Sequence, residues 1–243
     1  MKNILIYPAG SSDSCRYAAG FLANAKIPLV DHPTPEVTHV LLDIPTDADT
    51  AVKLLPMLPS NVIAVGGNLP DALSQNHQAV DFLKLEAYLA PNAAITADCA
   101  LRVALPQLKT TLADSPALVI GWGRIGKCLA QLLRAVGCPV TVAVRKGKDL
   151  ATLRSLGYDT VEVAHIPDIL TRFRLIFNTA PEPVLSAQQL SLCGSCVKID
   201  LASRPGLLGE EVIRARGLPG KYVPESSGRL IAETLLHYIK EGS

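Results

Sequence analysis

Apolar residues in this chain gather in short runs, at 3–7, 38–44, 61–65, 117–120, 139–144, 160–163, 174–179 and 197–201. Runs of this length, bounded by Gly, Pro, Asn or Asp, predict buried strands. Between them, apolar positions recur three or four apart. That spacing predicts helices over 14–25, 51–58, 77–89, 97–112, 127–137, 150–156, 167–171, 186–192, 210–216 and 226–240, the last capped by Ser226 or Ser227. Residues 217–224 read as an extended segment. Strand and helix thus alternate, the order expected of an α/β protein with parallel sheets.

The alternation breaks at Pro91-Asn-Ala-Ala-Ile-Thr96. The helix predicted over 97–112 then carries Leu101, Leu105 and Leu108 on one face, with Pro106 placed to kink it. It reads as a bridge between two domains. A small flavodoxin-like α/β domain, on the substrate side, is expected over 1–92, and a Rossmann-type parallel-sheet nucleotide domain over 93–243. A cleft beside the bridge would be a natural substrate site. The loops at 9–13, 43–47 and 66–68 follow strands of the first domain, where α/β sheets usually bind ligands. The stretch 8–14 reads either as a polar Gly and Ser turn or as an anion nest.

The second domain opens on Ala117-Leu-Val-Ile-Gly-Trp-Gly-Arg-Ile-Gly126, a buried strand running into G-x-G-x-x-G and then a helix. In a dinucleotide-binding turn the first glycine allows the tight bend, the second lets the backbone approach a pyrophosphate, and the third lets the helix pack on the strand. Gly121, Trp122, Gly123, Arg124, Ile125 and Gly126 are therefore the candidate phosphate-binding stretch, with the helix N-terminus offering N–H groups to an anion.

The end of the next strand bears on the cofactor. An acidic residue there accepts hydrogen bonds from the ribose of NAD. This chain has Arg145-Lys-Gly-Lys148 instead. A guanidinium can hold the 2′-phosphate of NADP, so Arg145 and Lys146 point to NADP; the alternative is a solvated basic turn. Asn178 and Thr179, at the end of the strand over 174–179, are expected at the cofactor edge of the sheet.

Composition narrows the partners. Lys and Arg number 23 against 22 Asp and Glu, so no overall field draws the chain to nucleic acid or to an anionic membrane. No apolar run approaches membrane-spanning length, and the one at the start is short and broken by Pro8, which makes the cytoplasm the expected location. The six cysteines lack the density of a disulfide scaffold, and Cys193-Gly-Ser-Cys196 supplies only half of a zinc site, so no metal is expected.

Asn92-Ala-Ala-Ile-Thr96, the glycine turn, Asp200-Leu-Ala-Ser-Arg-Pro-Gly206 and Gly217-Leu-Pro-Gly220 with Pro224 and Gly228 together resemble the A subunits of dipicolinate synthase. The resemblance covers Asn92 to the C-terminus. More distantly this half is similar to the cofactor domain of D-2-hydroxyacid dehydrogenases. Ahead of it, Tyr7-Pro-Ala-Gly10 stands where the family has a G-G-D-type turn, and the first domain reads as shorter than the family's. The resemblance implies an NADP-linked oxidation of dihydrodipicolinate to dipicolinate in the mother-cell cytoplasm of a sporulating bacterium. It also implies a small dicarboxylic substrate and, for a partner, a flavoprotein-like B subunit. A homo-oligomer is the expected assembly.

That chemistry needs a nicotinamide pocket, an anion clamp for two carboxylates, and a base. Arg204 is the first candidate for the clamp, with Ser203 as hydrogen-bond donor; the other reading has Arg204 bracing its loop. Asp200 reads either as a general base or as an anchor for its own loop. Thr96 and Asp98 start the bridging helix as further catalytic candidates, although an Asp there is also favoured by the helix dipole. The five histidines form no ligand spacing, and none is placed as the catalytic His of a 2-hydroxyacid dehydrogenase would be.

Overall fold

The apolar runs pair as parallel strands throughout the computed structural model, which describes residues 4–241. The chain divides into two units, Met1–Asn92 with Pro219–Ser243, and Ala93–Leu218.

In the first unit β1 (Ile6–Pro8), α1 (Asp13–Asn24), β2 (His39–Leu41), α2 (Ala48–Leu54), β3 (Ile63–Gly66), α3 (Asp71–Asn76) and β4 (Gln78–Asp81) follow in turn. The sheet order is β1-β2-β3-β4. Leu29 adds a parallel bridge to Ile6, on the side of β1 away from β2, with Ile6 N–H donating to Pro28 O and Val30 N–H to Ile6 O. Counting that bridge as a second strand gives the order 2-1-3-4-5, the flavodoxin-like winding. Val37, Val40, Leu42, Ala51, Val62, Ala64 and Leu73 fill one face of it.

Helix α4 (Glu86–Ala104) crosses from the first unit to the second. The second unit then builds β5 (Ala117–Ile120), α5 (Arg124–Ala135), β6 (Val140–Val144), α6 (Gly147–Ser155), β7 (Asp159–Glu162), β8 (Leu175–Asn178), β9 (Leu185–Ser186), α7 (Ala187–Ser191), β10 (Val197–Asp200), β11 (Leu207–Leu208) and β12 (Ile213–Arg214). Six of these strands form one sheet in the order β12-β10-β8-β5-β6-β7. Numbered along the unit, that is the doubly wound order, which reverses between β5 and β8. All four residues of β5 and of β8 are buried, as central strands covered on both faces require.

The chain then returns to the first unit through α8 (Leu218–Tyr222) and α9 (Pro224–Glu241). Helix α9 lies along α1. Gly228 permits this: a Cβ there would sit 2.5 Å from Tyr17 Cβ and 2.6 Å from the Ser14 carbonyl. Leu230, Ile231 and Leu235 of α9 are buried.

Several elements differ from the sequence reading. The helix expected over 77–89 is instead β4 followed by the start of α4, because Gln78–Asp81 finds backbone partners along β3. The bridging helix expected over 97–112 begins at Glu86 and runs through Pro91, ending at Ala104 before Pro106. Burial of Tyr88, Ala93, Ala97 and Ala100 outweighs the hydrogen bond lost at Pro91. Pairing of Ile213 and Arg214 with Ile199 and Asp200 makes a strand where 210–216 suggested a helix. The extended segment expected over 217–224 holds α8, with Pro219 second in the helix, where the missing N–H costs little. Helix α9 starts at Pro224, so Ser227 lies buried within it rather than capping it. The segment from Pro219 onward joins the first unit, not the nucleotide domain expected over 93–243. Asn3, the expected start of the first strand, lies outside the described residues. Among the described residues no helix is long and apolar enough to cross a membrane.

Candidate nucleotide-binding site

The glycine turn follows β5 at the point where the sheet order reverses, and its glycines answer three different demands. Gly121 has φ +102, and a Cβ there would lie 2.6 Å from Thr179 Oγ1. At Gly126 a Cβ would lie 2.2 Å from the Gly121 carbonyl oxygen. At Gly123 it would meet nothing within 4 Å. Two glycines are thus required by the protein's own packing, and one faces open space. Gly123 is also the N-cap of α5, and having no side chain it makes no capping hydrogen bond. The first-turn N–H groups of a helix have no intrahelical acceptors and carry the positive end of its dipole.

A cavity of about 200 Å³ adjoins the turn. Gly121 and Trp122 form one wall, Val144, Arg145, Lys146 and Asp149 a second, and Ala180, Pro181, Glu182 and Val184 a third. Trp122 is seated edge-on against Tyr158, with ring centroids 5.5 Å apart, and the Lys127 ammonium lies 5.9 Å from its ring. Arg145, leaving β6, donates to the Glu182 carboxylate in the loop after β8. That hydrogen bond and charge hold the Glu182 carboxyl below the usual carboxylate range. Lys146 stands exposed at the N-cap position of α6. Open space at Gly123, an uncapped helix end, and a cavity carrying Arg145 fit a dinucleotide.

Asn178 and Thr179 play unequal parts. Thr179 Oγ1 donates to the Ile120 carbonyl at 2.9 Å and packs against the turn. Asn178 is fully buried behind it. Its amide donates to Ala180 O and to Asp200 Oδ1, both at 2.9 Å, and its oxygen accepts from Ala180 N–H. With both amide hydrogens bonded it holds the carboxyl end of β8.

Asp200 is the centre of the same knot. It is 1% exposed and also accepts from the N–H groups of Ala202, Gly206 and Leu207 and from Arg214 Nη1 at 2.7 Å. These bonds give it the loop-anchoring role rather than that of a base. They also explain the glycine that ends the motif, since a Cβ at Gly206 would lie 2.2 Å from Asn178 Nδ2. Ser203 and Arg204 project from the anchored loop, exposed and without a side-chain partner among the described residues.

Thr96 and Asp98 are not brought together. Thr96 is buried, whereas Asp98 is exposed and ion-paired one turn along with Arg102, 2.9 Å away. Sequence reasoning missed Glu182, Asp149 and Tyr158. The only trace of Glu182 was its position between two prolines just past a strand end.

The first unit's loop over 8–14 does form a nest of donors, but the chain fills it. Asp43 accepts from the N–H groups of Ser11 and Ser12 at 2.8 and 3.1 Å and from both hydroxyls. Cys193 and Cys196 are buried, and burial pushes the Cys196 thiol up to about 12. Among the described residues no group of three or more His, Cys, Asp or Glu is placed to hold a metal.

No protein-family model and no curated protein matches the sequence. Among solved structures, the chain is similar to the A subunit of dipicolinate synthase from Bacillus halodurans, with 20% identity over 98% of each chain and a TM-score of 0.84. It is similar to the corresponding dipicolinate synthase chain from Bacillus subtilis, with 18% identity over 99% of this chain and 97% of that one, TM-score 0.82. A D-isomer specific 2-hydroxyacid dehydrogenase from Lactobacillus delbrueckii ssp. bulgaricus, in NAD-complexed form, matches at 12% identity over 99% of this chain and 97% of that one, TM-score 0.55. These likenesses establish a two-domain α/β fold of the dehydrogenase type. They run through the N-terminal half as well as the second.

Proposed function

We propose that this protein is an NADP-dependent oxidoreductase of the dipicolinate synthase A type, oxidising dihydrodipicolinate to dipicolinate. The observation that carries the nucleotide part is the contrast among the glycines: packing closes the space at Gly121 and Gly126 and leaves it open at Gly123, before an uncapped helix end. The backbone N–H groups of α5 would hold the pyrophosphate, Trp122 would line the site, and Arg145 with Lys146 would take the 2′-phosphate. NADP, when bound, supplies the hydride acceptor. Oxidation removes one hydride and one proton from the dihydropyridine, and aromaticity supplies much of the driving force.

The protein's own task is placement. Arg204, exposed and unpaired on a loop made rigid by Asp200, is suited to hold a substrate carboxylate, with Ser203 as a second donor. The likeness to the two Bacillus structures supports the substrate; a cytoplasmic site in a sporulating cell, a flavoprotein-like partner and a homo-oligomer belong to the same proposal.

One observation favours a second reading. Asp200 is consumed by its loop and Asp98 is paired with Arg102, so neither carboxylate among the catalytic candidates is at liberty. The second reading is therefore a nucleotide-binding protein without turnover of its own. An assay following reduced nicotinamide absorbance, with enzymatically made dihydrodipicolinate and NADP, separates the two. Turnover supports the first, whereas saturable NADP binding with no turnover, alone or with a flavoprotein partner, would leave the second.

A further inference from the structure

Opposite charges meet across the rim of the cavity. Arg145 leaves the end of β6, Glu182 stands in the loop after β8, and the two are joined by a hydrogen-bonded ion pair while both line the cavity. Arg145 is also the group to which the proposed function assigns the 2′-phosphate, and a role for its partner in cofactor choice rests on that reading. We propose that Glu182 is a specificity-determining residue whose carboxylate competes with the 2′-phosphate of NADP for the Arg145 guanidinium, lowering the preference for NADP over NAD.

Charge balance in the cavity gives the direction. Arg145 and Lys146 are its lining cations, and Asp149 and Glu182 its lining carboxylates, so the cavity is neutral as built. Neutralising Glu182 leaves one positive charge in excess at the strand end. NADP must displace Glu182 from Arg145 or share the guanidinium with it. NAD, with a hydroxyl at that position, leaves the pair undisturbed. The guanidinium fork binds best when one planar anion takes two of its donors, so sharing sacrifices the bidentate contact. The pair's side chains are 50% and 62% exposed, and surface pairs of this kind are worth about fivefold in affinity at most. Glu182 thus tunes selectivity and does not block NADP.

The test is isothermal titration of the full chain with NADP and with NAD, in the wild type, Glu182→Gln, Arg145→Gln and the double variant. Glu182 is exposed in a loop, so the Gln variant should keep the fold, which its melting curve checks. The expected result for Glu182→Gln is NADP binding tightened about three- to fivefold with NAD affinity unmoved. In the Arg145→Gln background the same change should give less than about a twofold gain. Equal changes for both nucleotides, no change for NADP, or a full gain that survives the loss of Arg145 would each overturn the role of Glu182. A wild type that binds neither nucleotide would overturn the proposed function, and this inference with it; a wild type that binds both, with a ratio unmoved by Glu182→Gln, overturns this inference alone.

Discussion

The Asn178 amide nitrogen lies 2.9 Å from Asp200 Oδ1, tying together the carboxyl ends of two neighbouring strands in register. Both residues are buried. The loop that carries Ser203 and Arg204 is folded back onto this pair by the N–H groups of Gly206 and Leu207. A motif that carries the resemblance in sequence is here, physically, a polar knot that fixes the shape of a loop.

Asp200→Asn should therefore act on stability. The new amide would point a donor at N–H groups and leave Arg214 without its anionic partner. Arg214 is partly exposed, so the main loss is at the buried N–H donors, about 1–3 kcal/mol, readable as a lower midpoint in urea. Nucleotide affinity of the folded fraction should be retained. A variant of full stability with abolished turnover would instead make Asp200 a base.

The glycine turn predicts two opposite phenotypes. Gly126→Ala drives a methyl into the Gly121 carbonyl, and overpacking of this kind costs about 1–3 kcal/mol of stability. Gly123→Ala has room and an ordinary φ of −79, so its melting temperature should match the wild type while nucleotide binding weakens. Trp122, the single tryptophan, lines the cavity, and its fluorescence should report both titrations. Wild-type affinity in Gly123→Ala would remove the phosphate from this turn.

For cofactor choice, the variant to make is Arg145→Asp. Replacing the guanidinium by a carboxylate should cost NADP about 1.5–3 kcal/mol, the range for hydrogen bonds to charged groups, and leave NAD binding intact or improved. The hypothesis fails if both affinities stay at wild-type values.

His39 predicts an acid-sensitive first unit. Burial within β2 holds its imidazole below the usual 6.5. The unfolded chain therefore binds a proton that the folded chain refuses. Stability is complete above about pH 6.5 and falls as the pH drops from there toward the folded-state value, with a slope of up to about 1.4 kcal/mol per pH unit. In His39→Gln, denaturation curves at pH 7.5 and 5.5, values on the order of one unit either side of the usual imidazole range, should differ less than in the wild type. An equal difference in both proteins would place the sensitivity elsewhere.

Central strands and the glycine turn were legible because buried parallel strands are written as continuous apolar runs. Residues 77–81 and 210–216 misled because edge strands take their conformation from a partner rather than from their own pattern, as Gln78–Asp81 does from β3 and Ile213–Arg214 from β10. Pro91, Pro219 and Pro224 read as breaks, yet each sits in a helix, the last two at its very start. At the site, Gly121, Gly123 and Gly126 were legible through spacing alone. The Arg145–Glu182 pair was not, because it joins positions 37 apart in sequence and follows from no local pattern.

The polypeptide enters the second unit after Asn92 and leaves it after Leu218. During synthesis from the N-terminus, residues 93–218 form a continuous segment that can fold as soon as it emerges. The first unit has its sheet but lacks α9, leaving the α9-facing side of α1 bare until the last turns of the chain appear. Its completion waits on translation of a whole intervening domain. The second unit is thus ready before its companion, and a ribosome stalled after residue 218 would present it finished beside an incomplete first.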